Sequence, residues 1–341
     1  IYKFSKAFSR ESYIPFLRAY SSALGNNEYY EQVLRVVALL DKPQMYALTL
    51  NGEKWYEIDD IQDLDIAESM FCPPEEQVKK LASRFGGYWR YPGLKDFCYL
   101  VTPYFPGKRL RAELKASFDT LLEQYPSGQR VNALLAAKMF GLHADEIAVG
   151  NGAAEIIQAY MGVIGGKIGF VYPTFEEYPN RVEESRRVIF TPSAENGFRY
   201  GAKDLIDFFT KNPVANLIIV NPDNPSGNFM SLKDVEKLCT WCHKTGVRLL
   251  IDESFADFAD KPYTLLTREF LAKYPNLSVM KSISKSYGVP GLRLGIFCSA
   301  DTELIARMKK QVSIWNINSF AEFFMQIYPK YKDDYKHACD Q

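Results

Sequence analysis

From about residue 146 the chain alternates short apolar runs with longer amphipathic ones, and this alternation limits the available folds more than any single residue does. The order is EIAVGNG, AAEIIQAYMGVIG, KIGFVYP, a helical pattern beginning at Phe175, RRVIFTP, LIIVNP, a helical pattern beginning at Ser231, and VRLLIDE. The runs LSVMKSIS and LRLGIFCSA add two more strands. Short β-rich runs read as buried strands, and the amphipathic segments supply the crossovers that parallel strands require. The expected fold class is α/β, a mainly parallel sheet covered by helices on both faces. A chain of 341 residues, 47% of them apolar, can bury a large core and is expected to hold more than one domain. Open sheets of this kind bind ligands beyond the carboxyl ends of their strands, so the residues that follow each strand are the candidates for chemistry.

After EIAV comes Gly150-Asn151-Gly152-Ala153-Ala154-Glu155. Glycine lets backbone approach a ligand, and the helix that follows offers free N–H groups to a phosphate, although a G-x-G at such a turn also arises for structural reasons alone. After LIIV comes Asn221-Pro222-Asp223-Asn224-Pro225-Ser226-Gly227, a stiff turn from which Asn224 can donate to a phenolate oxygen. An ordinary proline turn is the alternative there. After RLLI comes Asp252-Glu253-Ser254-Phe255, whose aspartate either caps a helix or pairs with a protonated pyridine nitrogen. The stretch SISKSYGVPGLRLGIF sets Lys285 between two apolar runs, with Arg293 downstream. A surface loop is the plain reading of such a lysine. The chemical reading is that partial desolvation lowers its pKa, leaving an amine that condenses with a carbonyl as a Schiff base, as pyridoxal phosphate requires.

Forty-one basic residues balance 41 acidic ones, so no global field favours nucleic acid or an anionic membrane surface. The longest apolar runs fall short of a membrane span, and residues 1–20 lack the apolar core of a signal peptide. Six scattered cysteines without a disulfide framework suit a reducing compartment, so a cytoplasmic protein is expected. Cys239 and Cys242 form a C-x-x-C, but they lie inside an amphipathic helical pattern with no second pair and read as helix cysteines. The double proline at Phe71-Cys72-Pro73-Pro74 ends a helix and marks the first expected boundary. The first residue is Ile and the last stretch is helical without a terminator, so both ends are expected to be internal to a longer chain.

A phosphate loop, an Asn, an Asp, a Lys and an Arg thus follow one another at successive strand ends. With that set, residues from about 90 to 341 resemble fold-type I pyridoxal-phosphate enzymes of aminotransferase class I/II, near histidinol-phosphate aminotransferase and threonine-phosphate decarboxylase. The resemblance implies that Lys285 is the Schiff-base lysine and proton carrier, Asp252 the partner of the pyridine nitrogen, and Asn224 the partner of the 3-oxygen. It further implies that Ser282, Ser284 and Arg293 hold the phosphate together with Gly152 and the N–H groups of Ala153 and Ala154. Phe175 would stack on the pyridine face, and Tyr125 would reach across a homodimer to the neighbour's phosphate. Two departures stand out. Phe255 occupies the place of a tyrosine that in many relatives also donates to the 3-oxygen, and Ala153 and Ala154 replace hydroxyl or acidic side chains. The large cofactor-binding domain is expected over residues 101–313, after a linker and arm over 73–100. Residues 314–341 begin an incomplete small domain, which in the family brings the arginine for a substrate carboxylate. A small phosphate- or phosphonate-bearing amine and a keto acid are the expected substrates; decarboxylation of a phosphorylated amino acid on the same scaffold is the alternative.

Residues 1–72 read differently. FSRESYIPFLRAYSSALGNNEYYEQVLRVVALL followed by KWYEIDDIQDLDIAE resembles the tail of an α/β nucleotidyltransferase of the sugar-phosphate or phosphocholine type. In GEKWYEIDD an alternating stretch runs into Glu57, Asp59 and Asp60, and carboxylates after a strand either hold Mg²⁺ beside a phosphate, form a solvated face or cap a helix. The resemblance makes Asp59 the metal ligand, with Glu28 and Tyr30 near the acceptor substrate. The two halves together suggest a bifunctional nucleotidyltransferase and aminotransferase.

Overall fold

The structure is a computed structural model that describes residues 2–39 and 46–341. The chain divides into two compact units, Ile1–Asp96 and Phe97–Gln341.

The larger unit is built on a seven-stranded sheet: β1 (Ile147–Asn151), β2 (Ile168–Val171), β3 (Arg187–Phe190), β4 (Asn216–Val220), β5 (Arg248–Asp252), β6 (Leu277–Ser282) and β7 (Leu294–Ser299), in the order β1-β7-β6-β5-β4-β2-β3. Strand β7 is antiparallel to both of its neighbours, and the other pairs are parallel. Alternate side chains of each strand enter different cores. Leu249 and Ile251 join Leu217, Val279 and Ile296 on one face, where the helices Gln129–Phe140 and Leu232–Thr245 contribute Ala136, Val235 and Leu238. Leu250 joins Ile218, Met280 and Phe297 on the other, under Ile156, Tyr160, Leu304 and Met308 of the helices Gly152–Val163 and Thr302–Lys309. Burial on both faces is why β4, β5 and β6 read as nearly continuous apolar runs. The closing helices Ser319–Ile327 and Lys332–Asp340 place Phe324 and Tyr335 in the first of these cores, so residues 314–341 pack as part of this unit. Cys239 and Cys242 are buried helix cysteines, and burial pushes the Cys239 thiol up to about 12.

The helix expected from Phe175 does not form. Between β2 and β3 the chain makes turns and short 3₁₀ segments, Pro179–Arg181 and Glu184–Arg186. Pro179 lacks the N–H that a helix continuing from Phe175 would need, and the segment closes after one turn with Asn180 N–H donating to the Glu176 carbonyl at 3.0 Å.

The smaller unit contains helices, among them Ile14–Leu24, Glu31–Ala38, Ile61–Phe71 and Pro74–Arg84, and no strand among its described residues. Its α/β character, expected from the resemblance, is therefore not seen there: the alternating stretch before Asp59 forms no strand. Phe8, Tyr13, Val33, Leu34 and Val37 form a small core. The double proline separates two helices, with Pro74 opening the second. That second helix falls within the expected linker, yet Gln77 donates to the Ser69 carbonyl at 3.1 Å and Arg84 pairs with Asp65, joining it to the first.

Candidate active site

Because β7 runs against the other strands, its entry lies where β1 and β6 end. Asn151 pairs with Leu294 and Ser282 with Gly295, which sets Arg293 beside both strand ends. Gly152 has φ +74°, and a Cβ built on it would lie 2.5 Å from Arg293 Nη2. A Cβ on Gly295 would come within 2.8 Å of the Ala153 nitrogen. These glycines admit the guanidinium and the start of helix Gly152–Val163 to one another, joining a planar cation to free backbone N–H groups. Arg293 itself sits at φ +56°, a left-handed conformation that costs a residue with a Cβ about 1–2 kcal/mol. On the adjoining turn the Ser284 hydroxyl is buried without a hydrogen-bond partner. A buried orphan hydroxyl, a guanidinium and a helix start fit an oxyanion such as a phosphate ester.

Asp252, at the end of β5, is 3% exposed. Its Oδ1 accepts the Ser254 N–H at 2.8 Å and its Oδ2 accepts the Tyr178 hydroxyl at 2.8 Å. Burial raises its pKa, and the bonds from Ser254 and Tyr178 oppose the rise. A buried carboxylate of this kind suits a cationic partner such as a protonated ring nitrogen. Tyr178 is also fully buried, and burial followed by the Asp252 charge keeps its hydroxyl protonated. Phe175 stands edge-on to Tyr178 with centroids 6.3 Å apart and a partly open face. Asn224 is half-buried in the turn after β4.

Lys285 is half-buried in the turn after β6. Desolvation, and then the nearby Arg293 charge, lower its pKa, while Cys98 and Asp252 act the other way. Its ammonium stands 5.9 Å from the centroid of the Tyr99 ring, within cation–π range. The turn is packed tightly: Gly288 has φ +62°, and a Cβ there would fall 1.8 Å from the Phe105 carbonyl oxygen.

The structure thus brings Gly152, Ala153, Ser282, Ser284, Lys285, Arg293 and Asp252 to one edge of the sheet, with Ala154 in the first turn of the same helix. Tyr125 is 79% exposed and lies against Trp315 at 4.6 Å. Sequence reasoning missed Tyr178 and Tyr99. Tyr178 follows Phe175 by three residues in a segment read as a helix, and Pro179 was the signal that it is a loop. Asp60 caps helix Ile61–Phe71 by accepting from the N–H groups of Gln62 and Asp63 at 2.7 and 3.0 Å, while the Asp63 carboxylate accepts the N–H groups of Asp60 at 3.3 Å and Asp59 at 3.2 Å. The Asp60 carboxylate thus does the work of a helix cap. Among the described residues no group of three or more His, Cys, Asp or Glu is placed to hold a metal ion. Nor is any helix there long and apolar enough to cross a membrane.

Residues 108–325 match the family described as aminotransferase class I and II. The chain belongs to that family. Pyridoxal 5'-phosphate is the cofactor this aminotransferase family implies, and the oxyanion cradle and buried Asp252 fit it. Over its full 341 residues the chain is 33% identical to the CMP-5'-(3-aminopropyl)phosphonate synthase of Streptomyces rubellomurinus, covering 54% of that protein. It is 30% identical over 269 residues to the L-serine phosphate decarboxylase of Sulfurospirillum multivorans, covering 75% of this chain and 66% of the relative. The crystal structure of histidinol-phosphate aminotransferase from Clostridium acetobutylicum superposes with a TM-score of 0.63 over 72% of each chain at 23% identity, which shows a shared fold. The chain spans about half the length of the first of these relatives.

Proposed function

We propose that this aminotransferase-family chain moves an amino group between a small phosphonate- or phosphate-bearing amine and a keto acid, within a longer protein that also carries a nucleotidyltransferase. The observation that carries the reading is the convergence of Lys285, Asp252 and the Arg293–Gly152 cradle at one sheet edge, together with likeness along the whole chain to a protein named for an aminopropylphosphonate joined to CMP. Bound here, pyridoxal phosphate supplies a carbonyl for the amine and a ring that withdraws electrons. Arg293, Ser284 and the helix start bind and orient the phosphate. Asp252, steadied by Tyr178, would hold a proton on the ring nitrogen, and Lys285, with its lowered pKa, would carry a proton from the substrate carbon to the cofactor carbon that takes up the amine. Phe175 would cover a face of the cofactor ring and Asn224 would donate to its ring oxygen. In a homodimer, exposed Tyr125 extends to the partner's phosphate. In the smaller unit Asp59 binds Mg²⁺ once the rest of the nucleotidyltransferase is present.

Decarboxylation is the second reading, favoured by the 30% identity to L-serine phosphate decarboxylase. One assay of the full-length protein separates them. Amino transfer from 3-aminopropylphosphonate or 2-aminoethylphosphonate is expected only with a keto acid present, and Asp59→Asn should abolish transfer to a cytidine nucleotide while sparing amino transfer. Release of CO₂ from phosphoserine without a keto acid would favour the decarboxylase. A preference for histidinol phosphate would discard the phosphonate reading.

A further inference from the structure

Beneath the Lys285 turn lies a buried charged cluster that the proposed chemistry does not use. Lys281, in β6, is 3% exposed, and its ammonium meets Asp257 Oδ2 at 2.7 Å. The same oxygen accepts the Ser286 hydroxyl at 2.7 Å, and the Ser286 oxygen in turn accepts the Tyr335 hydroxyl at 2.9 Å. The Lys281 charge also reaches Asp252 and Glu253; Glu253 is occupied by the Leu265 N–H and the Thr264 hydroxyl, and Asp252 by the Ser254 N–H and the Tyr178 hydroxyl. Every hydroxyl in the chain from Tyr335 therefore points toward one carboxylate, an arrangement in which each bond polarises the next.

Replacing a buried ion pair by well-packed apolar residues of similar volume is often neutral or stabilising. What a buried ion pair with directed hydroxyls adds is a fixed geometry. Asp257 belongs to the loop after β5, which carries Asp252, and Ser286 directly follows Lys285 in the loop after β6. Asp257 thus ties together the two loops that carry the proposed chemistry. Tyr335, from the helix Lys332–Asp340, adds a second grip: its ring stacks on Tyr287 at 4.2 Å and 8°. The Lys285 carbonyl is held as well, accepting from Thr102 at 3.2 Å and from Gly288 at 3.1 Å. With its carbonyl and the next two side chains anchored, the remaining freedom of Lys285 lies mainly in its own side chain.

We propose that Tyr335 is a positioning residue for Lys285: through Ser286 and Asp257 the last helix sets the lysine turn, so that any shift of this helix is transmitted to the Lys285 amine. The inference rests on the reading of Lys285 given above, but its test does not need the covalent adduct. In the full chain without added cofactor, the rate at which an amine-reactive ester labels Lys285 is measured by mass spectrometry relative to exposed Lys138. Tyr335→Phe keeps the stacked ring and removes only the hydroxyl. It and Ser286→Ala are each expected to change the Lys285 ratio at least about threefold, with the double variant no further displaced than the larger single, because the two act in one chain. Ser286→Thr, which restores a hydroxyl, should return the ratio toward wild type. With pyridoxal phosphate bound, the absorbance band should shift its pH midpoint in the same variants. Unchanged labelling in both single variants, or single effects that multiply in the double, would overturn the proposal even if Lys285 forms the adduct. Should Tyr335→Phe not fold, Ser286→Ala and its Thr counterpart decide alone. Loss of borohydride trapping at Lys285 in the wild type would instead count against the cofactor reading.

Discussion

Asp252 accepts from Ser254 and from the Tyr178 hydroxyl, and the Tyr178 hydroxyl can be removed without touching the backbone. Tyr178→Phe deletes that hydroxyl from a fully buried site. A hydrogen bond to a charged group contributes about 1.5–3 kcal/mol, so a loss of unfolding free energy of that size is expected, with cofactor affinity lowered about tenfold or more. Equilibrium binding of pyridoxal phosphate checks it, and wild-type affinity would remove Tyr178 from the site. Lys285 offers a second test at this scale. Burial and Arg293 lower its pKa, so its neutral, nucleophilic form appears at lower pH than on a free lysine, and labelling rates should rise with a midpoint below ~10.4. For stability the sign is the reverse of a favourable pair. The unfolded chain holds this proton more tightly between the two pKa values, so Lys285 costs stability below its folded pKa, and the cost fades as pH rises toward the unfolded value. A labelling midpoint at or above that of a free lysine would contradict the desolvated site.

At the scale of elements, the strands and the residues after them were legible because buried parallel strands read as apolar runs, and a glycine, proline or charge just beyond them interrupts the pattern. Lys285, Asp252 and Arg293 could be picked out on that basis. What the sequence could not show is pairing across distance. Tyr178 and Asp252 are 74 residues apart, and Tyr335 and Ser286 are 49 apart, with no local pattern linking either pair. The segment after β2 misled for a local reason, since its residues favour a helix until Pro179 intervenes. In the first unit, Asp60 and Asp63 form a capping box, and the same carboxylates in the sequence alone also read as metal ligands. The Lys285 turn gives a prediction that belongs to an element. Gly288→Ala would drive a Cβ against the Phe105 carbonyl at a positive φ, whereas Gly291→Ala meets nothing within 4 Å. Denaturant unfolding should show the first destabilised by about 2 kcal/mol or more and the second nearly unchanged. Equal effects would mean that the turn is not clamped against Thr102–Phe105.

For the whole molecule, the larger unit carries the residues proposed for the cofactor site, and the smaller unit carries Asp59, for which a metal role is proposed. The likeness to the aminopropylphosphonate synthase runs through both units, and this supports reading them as parts of one bifunctional protein. Everything proposed for the larger unit depends on one covalent claim, that Lys285 and no other lysine condenses with pyridoxal phosphate. The buried neighbour Lys281 makes the claim specific, since it lies four residues away and is committed to Asp257. Borohydride reduction of the protein with pyridoxal phosphate, followed by peptide mapping, tests it directly. A pyridoxyl adduct on Lys285 that disappears in a folded Lys285→Ala variant is expected; an adduct on Lys281 or another lysine, or one that survives in the variant, would contradict the assignment of Lys285.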